Sequence, residues 1–199
     1  MRLLVSIVLL FLFHSVLLGQ TYKDSILDFQ NHLNEEYSNP EESPLTQKDI
    51  KKFEGHEYFP IDESFKVKAQ FERVDDAVPF LMKTTTNRLP TYEIYGVATF
   101  EINNQKFSLN IYQSHQLRET EEYKNYLFLP FTDLTNGEST YSGGRFIDLE
   151  IPTSDYITID FNKAYNPFCA YNPKYSCPIP PPENSLPIEI VAGIKKAKN

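Results

Sequence analysis

The sequence predicts a mainly β protein, folded as a single-domain antiparallel β-barrel or sandwich of about eight strands with an N-terminal amphipathic helix. Several short segments alternate apolar and polar residues, which is the period of a strand with one buried face. Turn signals separate these segments at short intervals, as in barrels and sandwiches. Aromatic residues make up 14% of the chain, and all of them are Phe or Tyr, which favour strands.

The chain begins with "MRLLVSIVLLFLFHSVLLGQ", which has the layout of a secretory signal peptide. Arg2 gives a positive start, residues 3–13 are apolar, and Gly19 is a small residue near the expected cleavage site. An uncleaved membrane anchor is the alternative, but it needs about 20 apolar residues and His14 interrupts the run. We therefore expect removal of residues 1–19, export to the periplasm or the medium, and no transmembrane span in the mature chain.

Residues 20–199 are expected to form one β-rich domain with a single core, because this length suits a domain of ordinary size. An amphipathic helix over 24–37 is predicted by apolar residues at helical spacing, namely Ile26, Phe29, Leu33 and Tyr37. The prolines of "NPEESP" end this helix. Thr46 and Asp49 then form a capping-box pattern that predicts a short helical turn.

The first strands are predicted by alternation. "SFKVKAQFERV" places four apolar side chains on one face, Phe65, Val67, Ala69 and Phe71. "PFLMKTTT" and "TYEIYGVATFEI" are the second and third predicted strands. Asn103 and Asn104 join the third strand to the alternating segment "QKFSLNIYQ", so these two segments are predicted to form a hairpin.

Another hairpin is predicted around Asn136 and Gly137, which lie between the runs "YLFLPF" and "RFIDLEI". The Asn-Gly dipeptide favours a type I′ turn, because both central residues of that turn take positive φ. A turn centred there pairs Asp133 with Thr140. The two glycines of "SGGRF" then allow a bulge or a close backbone approach just before Arg145.

The last strand pair is predicted from "DYITIDF" and "LPIEIVAGI". Residues 160–184 lie between these segments as a long loop rich in Pro, Asn, Tyr and Cys, with six of the fourteen prolines and both cysteines. Loops this long in a compact domain are usually functional or disordered, and disorder does not suit a segment with so many aromatic residues. We therefore expect the loop to cover a binding pocket.

Two blocks of the chain resemble a known family. "LFLPFTDLTNGESTYSGGRFIDL" and "DFNKAYNPFCAYNPKYSCPIPPPENSLPIEIVAG" are similar to a bacterial and archaeal family of unknown function, DUF1684, and "TTTNRLPTYEIYGVATF" fits it as well. The likeness covers most of residues 20–199. It implies that this part of the chain is one recognised unit, and it implies no particular activity.

The two cysteines, Cys169 and Cys177, are separated by seven residues. Thiols tend to become oxidised in an exported protein, so we predict a structural disulfide that stabilises the fold by about 2.5 kcal/mol. The alternatives are two packed thiols or a metal or redox site. Zinc normally needs four ligands at recognisable spacings, and a familiar redox centre uses C-x-x-C, so no metal site is predicted.

Candidate ligand-binding residues are charged or hydrogen-bonding side chains in or beside the loop. Alternation points Arg145 inward, where we expect it to meet Asp160 or Glu183. Such a pair either anchors a ligand or forms a structural salt bridge. The loop adds amide and phenol groups, which suit a small polar molecule or serve as structural hydrogen bonds: Asn162, Tyr165, Asn166, Tyr171 and Asn184.

The net charge and the absence of familiar motifs exclude some classes of function. The formal net charge of −8 argues against a nucleic-acid partner, which favours a basic face. The chain lacks the G-x-S-x-G, H-E-x-x-H, P-loop and G-x-G-x-x-G motifs, and it carries no signal for a particular cofactor or oligomeric state. The leading hypothesis is binding of a small polar ligand under the 160–184 loop. The alternatives are a hydrolase-like enzyme that uses Asp160 and Glu183, and a structural or interaction module of the cell envelope.

Overall fold

The structure is a computed structural model and describes residues 21–197. The predicted signal peptide therefore lies outside the described residues. Within 21–197, no helix is both long enough and apolar enough to cross a bilayer.

Seven antiparallel strands form one sheet: β1 (Lys66–Arg73), β2 (Phe80–Leu81), β3 (Thr91–Ile102), β4 (Gln105–Ser114), β5 (Tyr126–Phe131), β6 (Arg145–Glu150) and β7 (Tyr156–Asp160). The strand order is β6-β5-β4-β3-β1-β7, and β2 pairs with β3. The sheet curls into a half-barrel. Its two end strands, β6 and β7, do not pair with each other, but both line the same cleft from opposite sides. The mainly β, antiparallel prediction is confirmed.

Two short α-helices precede the sheet. Residues 21–38 form α1, which includes the predicted helix over 24–37, and its apolar face is buried at Ile26 and Tyr37. The second helix, α2, spans Gln47–Ile50, and the hydroxyl of Thr46 accepts a hydrogen bond from the Asp49 backbone N–H at its start. Both helices thus begin and end close to where the sequence predicts them.

The hairpin between β3 and β4 has the type I′ turn. Asn103 and Asn104 have φ values of 52° and 61°, and Ile102 pairs with Gln105 on either side of them. Both central residues therefore take the left-handed conformation that this turn requires, and asparagine tolerates it better than most residues. The predicted hairpin is confirmed here.

The predicted type I′ hairpin at Asn136 and Gly137 is wrong. Only Gly137 has positive φ, and the β5–β6 register pairs Phe131 with Arg145, so Asp133 and Thr140 are not strand partners. The carboxylate of Asp133 accepts hydrogen bonds from the backbone N–H and the hydroxyl of Thr135. These local bonds fold residues 132–144 into a long, compact connection, because they satisfy backbone groups that a ladder would otherwise need.

The predicted strand "LPIEIVAGI" is also wrong. Alternate residues of this segment are buried, namely Leu186, Ile190, Ala192 and Ile194, but the segment belongs to no sheet. The carbonyls of three of these residues, Ile190, Ala192 and Ile194, accept hydrogen bonds from the guanidinium of Arg145 instead. The alternating pattern predicts correctly which residues are buried, but the backbone carbonyls bond the side chain of Arg145 and not a neighbouring strand.

Apolar residues pack on both faces of the sheet. The inner face holds the main core, with residues such as Ile111, Leu129 and Ile159. The outer face holds a second cluster of Met82, Tyr92, Tyr112, Phe128, Phe146 and Cys177, against which Tyr165, Phe168 and Tyr175 pack. Residues 165–177 of the long loop therefore pack on the outer face of the sheet as part of this second cluster, whereas Phe161 and Ala164 at its start belong to the main core.

Candidate functional site

The candidate site is a cleft of about 250 Å³ between β6 and β7, which do not pair with each other, and we call it the seam cleft. Five ionisable side chains line it: Tyr22, Lys66, Asp148, Asp160 and Lys163. They come from the first turn of α1, the start of β1, the middle of β6, the end of β7 and the 3-10 turn Phe161–Lys163. The curvature of the sheet brings these distant elements together.

Tyr22 is held by hydrogen bonds at one end of the seam cleft. Its hydroxyl donates to the carboxylate of Asp160, at 3.1 Å from each oxygen, and accepts from the side-chain amide of Asn162 at 3.0 Å. Asp160 also accepts the backbone N–H of Asn162 and so caps the turn that follows β7. Burial and the neighbouring Asp160 raise the pKa of Tyr22 well above its ordinary value of 10.0, so the phenol stays neutral.

Two ammonium groups border the same cleft. Lys66 lies 4.5 Å from the centre of the Tyr22 ring, and Lys163 lies 6.0 Å from the centre of the Phe29 ring. Within residues 21–197, neither lysine forms an ion pair with a carboxylate. Cation–π contacts leave the hydrogen-bond donors of an ammonium group available, so both lysines can donate to an anionic ligand.

Asp148 lies on the opposite side of the seam cleft and is fixed by two phenols. The hydroxyls of Tyr126 and Tyr165 donate to the same carboxylate oxygen, at 2.7 Å and 2.6 Å. Burial first, and then the Asp148 charge, raise the pKa of both tyrosines, so they remain donors. Tyr165 was predicted to contact a ligand; in the structure its hydroxyl donates to Asp148, and it does not line the seam cleft.

Arg145 does point inward, as predicted, but its carboxylate partner is neither Asp160 nor Glu183. The side chain is 0% exposed and pairs with Asp133, with 2.8 Å between nitrogen and oxygen. Burial lowers the pKa of Arg145, whereas the charge and hydrogen bond of Asp133 oppose that shift. Its other bonds go to backbone carbonyls of the C-terminal segment, so Arg145 fixes that segment, and it does not line the seam cleft.

Three predicted ligand residues of the loop, Asn162, Asn166 and Asn184, are buried and donate to backbone carbonyls. The amide of Asn162 donates to the carbonyl of Asp62 at 2.8 Å, and that of Asn166 donates to the carbonyl of Lys195 at 2.9 Å. Asn184 bridges β4 and β5 through the carbonyls of Asn110 and Pro130. These amides are structural hydrogen-bond donors.

The remaining two predicted ligand residues lie away from the seam cleft. Tyr171 packs edge-on against Tyr37 and His56, with ring centres 4.9 Å and 5.4 Å apart. Glu183 is exposed on the 3-10 turn Pro182–Asn184 and does not line the cleft that Asp160 borders. The predicted acid/base pair of Asp160 and Glu183 is therefore not brought together.

Cys169 and Cys177 are neighbours with free thiols, so the predicted disulfide is not formed in this structure. The backbone N–H of Cys169 donates to the sulfur of Cys177 at 3.2 Å, and the hydroxyl of Tyr141 lies 3.8 Å from the sulfur of Cys169. A hydrogen bond from the Cys177 thiol lowers the pKa of Cys169 to about 6, and the same bond raises the pKa of Cys177. The pair is a hydrogen-bonded dithiol.

A buried charge cluster on β3 was missed by the sequence analysis. Glu93 is 7% exposed and contacts Arg73 at 3.5 Å, His115 at 2.8 Å and Arg118 at 3.0 Å. Burial raises the pKa of Glu93, but the hydrogen bonds from His115 and Arg118 outweigh burial and leave the pKa below its ordinary value. The side chain of His115 is 24% exposed and is bound to this carboxylate. The one signal was a glutamate inside an apolar strand.

No group of three or more His, Cys, Asp or Glu side chains in the described part of the chain is arranged to hold a metal ion. A wider depression of about 530 Å³ lies over the outer surface of β1 and β3, where strand side chains such as Lys68, Gln70 and Thr99 face solvent. The seam cleft is the better candidate, because separate elements converge there and polar groups are held in place by hydrogen bonds.

Comparisons with known proteins agree with this fold. A solution NMR structure of an uncharacterized protein from Haloarcula marismortui is 28% identical, covers 89% of this chain and 95% of its own chain, and superposes with a TM-score of 0.69. No protein with curated annotation matches the chain. The family model described as "Protein of unknown function (DUF1684)" matches residues 51–195. The chain therefore belongs to the DUF1684 family.

Proposed function

We propose that the protein is exported and binds a small polar ligand, bearing an anionic group, in the seam cleft. The observation that carries this proposal is the convergence of Lys66 and Lys163 beside Tyr22 in one cleft, where neither ammonium group has a carboxylate partner among residues 21–197. In this proposal α1 closes the open side of the half-barrel, so that the sheet serves as an open barrel with its binding site at the seam.

The size of the cleft limits the ligand. Its volume of about 250 Å³ is below the roughly 300–1,000 Å³ of sites that hold drug-sized molecules. A ligand of metabolite size, such as a small acid or a sugar phosphate, fits this volume. A polymer would extend beyond it.

The charges around the cleft limit the ligand further. Lys66 and Lys163 supply donors for a carboxylate or a phosphate, which lysine binds as a point charge. Asp148 and Asp160 face the same space and accept hydrogen bonds from hydroxyl or ammonium groups. Because the carboxylates repel an anion that has no donors of its own, a ligand with both an anionic group and hydrogen-bond donors is favoured.

Export is supported by the layout of the first residues, with Arg2, an apolar run and Gly19. Cell fractionation followed by intact-mass measurement tests it directly. The expected result is a periplasmic or secreted protein whose mass corresponds to cleavage between Gly19 and Gln20. A full-length chain retained in the cytoplasm contradicts export and leaves the binding proposal to its own test.

The binding proposal is tested first on the purified protein. Native mass spectrometry is compared with the denatured sample to detect a bound small molecule. Thermal unfolding is then measured with inorganic phosphate, glucose 6-phosphate, glutamate and uncharged glucose. A ligand at ten times its Kd stabilises the folded state by about 1.4 kcal/mol, which raises Tm by about 3–6 °C in a domain of this size.

Matched variants locate the site. The double variant Lys66→Gln/Lys163→Gln is expected to lose the stabilisation by anionic probes. Lys174→Gln is the control, because Lys174 is exposed in the same loop as Lys163 and does not line the cleft; its ammonium group lies 4.8 Å from the centre of the Tyr175 ring. The proposal fails if no probe raises Tm and the native mass shows no ligand, or if the double variant responds as the wild type does.

A further inference from the structure

The thiol pair has an asymmetric environment that the seam-cleft proposal does not use. Cys169 is half-buried on the 3-10 turn Phe168–Ala170, whereas Cys177 is 7% exposed within the outer apolar cluster. Cys169 is therefore the more exposed residue of the pair, whereas Cys177 is enclosed by apolar neighbours and adjoins its partner. Nucleophilic and resolving cysteines of exchange sites differ in access in this way.

Hydrogen bonds add a second asymmetry. The Cys177 thiol and the Tyr141 hydroxyl both interact with the sulfur of Cys169, and donors aimed at a sulfur stabilise its thiolate. In return, the backbone N–H of Cys169 donates to the sulfur of Cys177 at 3.2 Å. Each sulfur thus has a hydrogen-bond donor beside it when it becomes a thiolate. Cys169 carries the negative charge first, and Cys177 carries it second.

The resolving sulfur is also held in place. The backbone N–H of Cys177 donates to the hydroxyl of Thr85 at 3.1 Å, and the backbone N–H of Thr85 donates to the carbonyl of Cys177 at 2.9 Å. These two bonds tie Cys177 to the segment after β2. A fixed resolving thiol beside a more accessible one favours rapid ring closure, because little chain entropy is lost when the two sulfurs meet.

We propose that Cys169 and Cys177 form a thiol–disulfide exchange site that reacts with small disulfides, with Cys169 as the attacking sulfur and Cys177 as the resolving sulfur. The thiolate of Cys169 attacks one sulfur of the small disulfide. The sulfur–sulfur bond of the reagent breaks, a mixed disulfide forms on Cys169, and the first small thiolate leaves and takes a proton from solvent.

In the second step Cys177 loses its proton to solvent and attacks the sulfur of Cys169. The mixed disulfide breaks, the bond between Cys169 and Cys177 forms, and the second small thiolate leaves. Two protein thiols are oxidised by two electrons, and one small disulfide is reduced to two small thiols. The reaction is reversible, and stabilisation of the reduced pair makes the protein disulfide easier to reduce than a purely structural staple.

The full chain is tested with oxidised glutathione, after reduction and removal of the reductant. Mass spectrometry of the wild type is expected to show an internal disulfide between Cys169 and Cys177 without a stable adduct. Cys177→Ala is expected to accumulate one glutathione on Cys169, and Cys169→Ala is expected to react at least about tenfold more slowly, at Cys177.

The pH dependence separates this site from a structural staple. Alkylation of Cys169 by iodoacetamide is expected to have a midpoint at about pH 6 in the wild type and a higher midpoint in Cys177→Ala. Tyr141→Phe is also expected to raise it, and Tyr156→Phe, which alters an exposed tyrosine distant from the thiols, leaves it unchanged.

Three results overturn the inference: an ordinary thiol midpoint for Cys169 in the wild type, a first adduct on Cys177, or a disulfide that dithiothreitol reduces only after unfolding. The wild-type pH profile and reduction test stand alone if a cysteine variant fails to fold. None of these readouts depends on ligand binding in the seam cleft, so the two proposals can fail separately.

Discussion

The Arg145 ion pair gives the sharpest prediction for stability. Arg145→Met removes a guanidinium that is 0% exposed and that bonds Asp133 at 2.8 Å and the carbonyl of Ile190 at 2.8 Å. Two further carbonyls of the C-terminal segment also lose their donor. Asp133 would be left charged and buried, with only Thr135 and the backbone N–H of Ile190 as donors.

The magnitude follows from these lost partners. Breaking a buried ion pair by removing one member costs about 3–5 kcal/mol, and each buried carbonyl left without a donor adds about 1–3 kcal/mol. We expect Arg145→Met to lower the free energy of unfolding by at least about 5 kcal/mol. In a domain of this size that corresponds to a fall in Tm of about 10–20 °C.

The assay is thermal and urea unfolding of a double-mutant cycle. Asp133→Asn/Arg145→Met is expected to be less destabilised than the sum of the single variants by about 2 kcal/mol, because no unpaired charge remains. Lys124→Met is the control, because it breaks the exposed ion pair with Glu121 and is expected to cost under about 1 kcal/mol. A fall in Tm below about 4 °C for Arg145→Met, or additive single effects, refutes the structural role.

Three further outcomes are expected. Asn184→Ala should lower the free energy of unfolding by about 2–4 kcal/mol, because the carbonyls of Asn110 and Pro130 lose their donor. The control is Asn31→Ala, at an exposed position, which should change the free energy of unfolding by under about 0.5 kcal/mol. Urea titrations measure both variants. Asn104→Ala should cost about 1–2 kcal/mol and Asn104→Gly should not, because φ is 61° there; equal effects in thermal unfolding would contradict the turn assignment. Burial lowers the pKa of His56 to about 4 from 6.5, so the unfolded chain binds a proton first as the pH falls between those values. The wild type should therefore be most stable above pH 6.5, and its free energy of unfolding should fall by about 2 kcal/mol between pH 6.5 and 5. His56→Gln should abolish that fall. The same pH slope in both proteins would show that His56 does not cause it.

Much of the fold follows from local patterns. Alternation predicts β1, β3 and β4 because a half-buried strand shows its two faces in the sequence itself, and helical spacing predicts α1 in the same way. The turn at Asn103 and Asn104 is local too. Each of these elements depends on residues that are neighbours in the chain.

The two wrong predictions have different physical causes, one non-local and one local. The segment "LPIEIVAGI" alternates like a strand, but its carbonyls bond Arg145, which lies more than 40 residues earlier. Alternation reports which residues are buried, and it cannot report whether a strand or a guanidinium satisfies the backbone between them. The prediction of the β5–β6 register is wrong for a local reason, because the side chain of Asp133 accepts the backbone N–H of Thr135 and so competes with the ladder for backbone donors.

The candidate site was mostly beyond sequence reasoning. Of the predicted ligand residues, only Asp160 lines the seam cleft. Tyr22, Lys66, Asp148 and Lys163 join it because β6 and β7, at opposite ends of the strand order, approach each other when the sheet curls. The curvature of the sheet depends on many strands together, so no short sequence motif predicts that these lysines border the cleft.

The composition of the 160–184 loop has a physical explanation in how the loop packs against the sheet. A segment that makes only isolated bridges to its neighbours needs side chains to satisfy buried backbone groups. All four asparagines of the loop donate to backbone carbonyls outside it, those of Asp62, Lys195, Pro44 and Pro130. Packing therefore accounts for the asparagines and for Tyr171. Packing does not account for the donors beside the partly exposed thiol of Cys169. It also does not account for the ammonium group of Lys163, which has no carboxylate partner within residues 21–197. Functional tests should therefore concentrate on these two features.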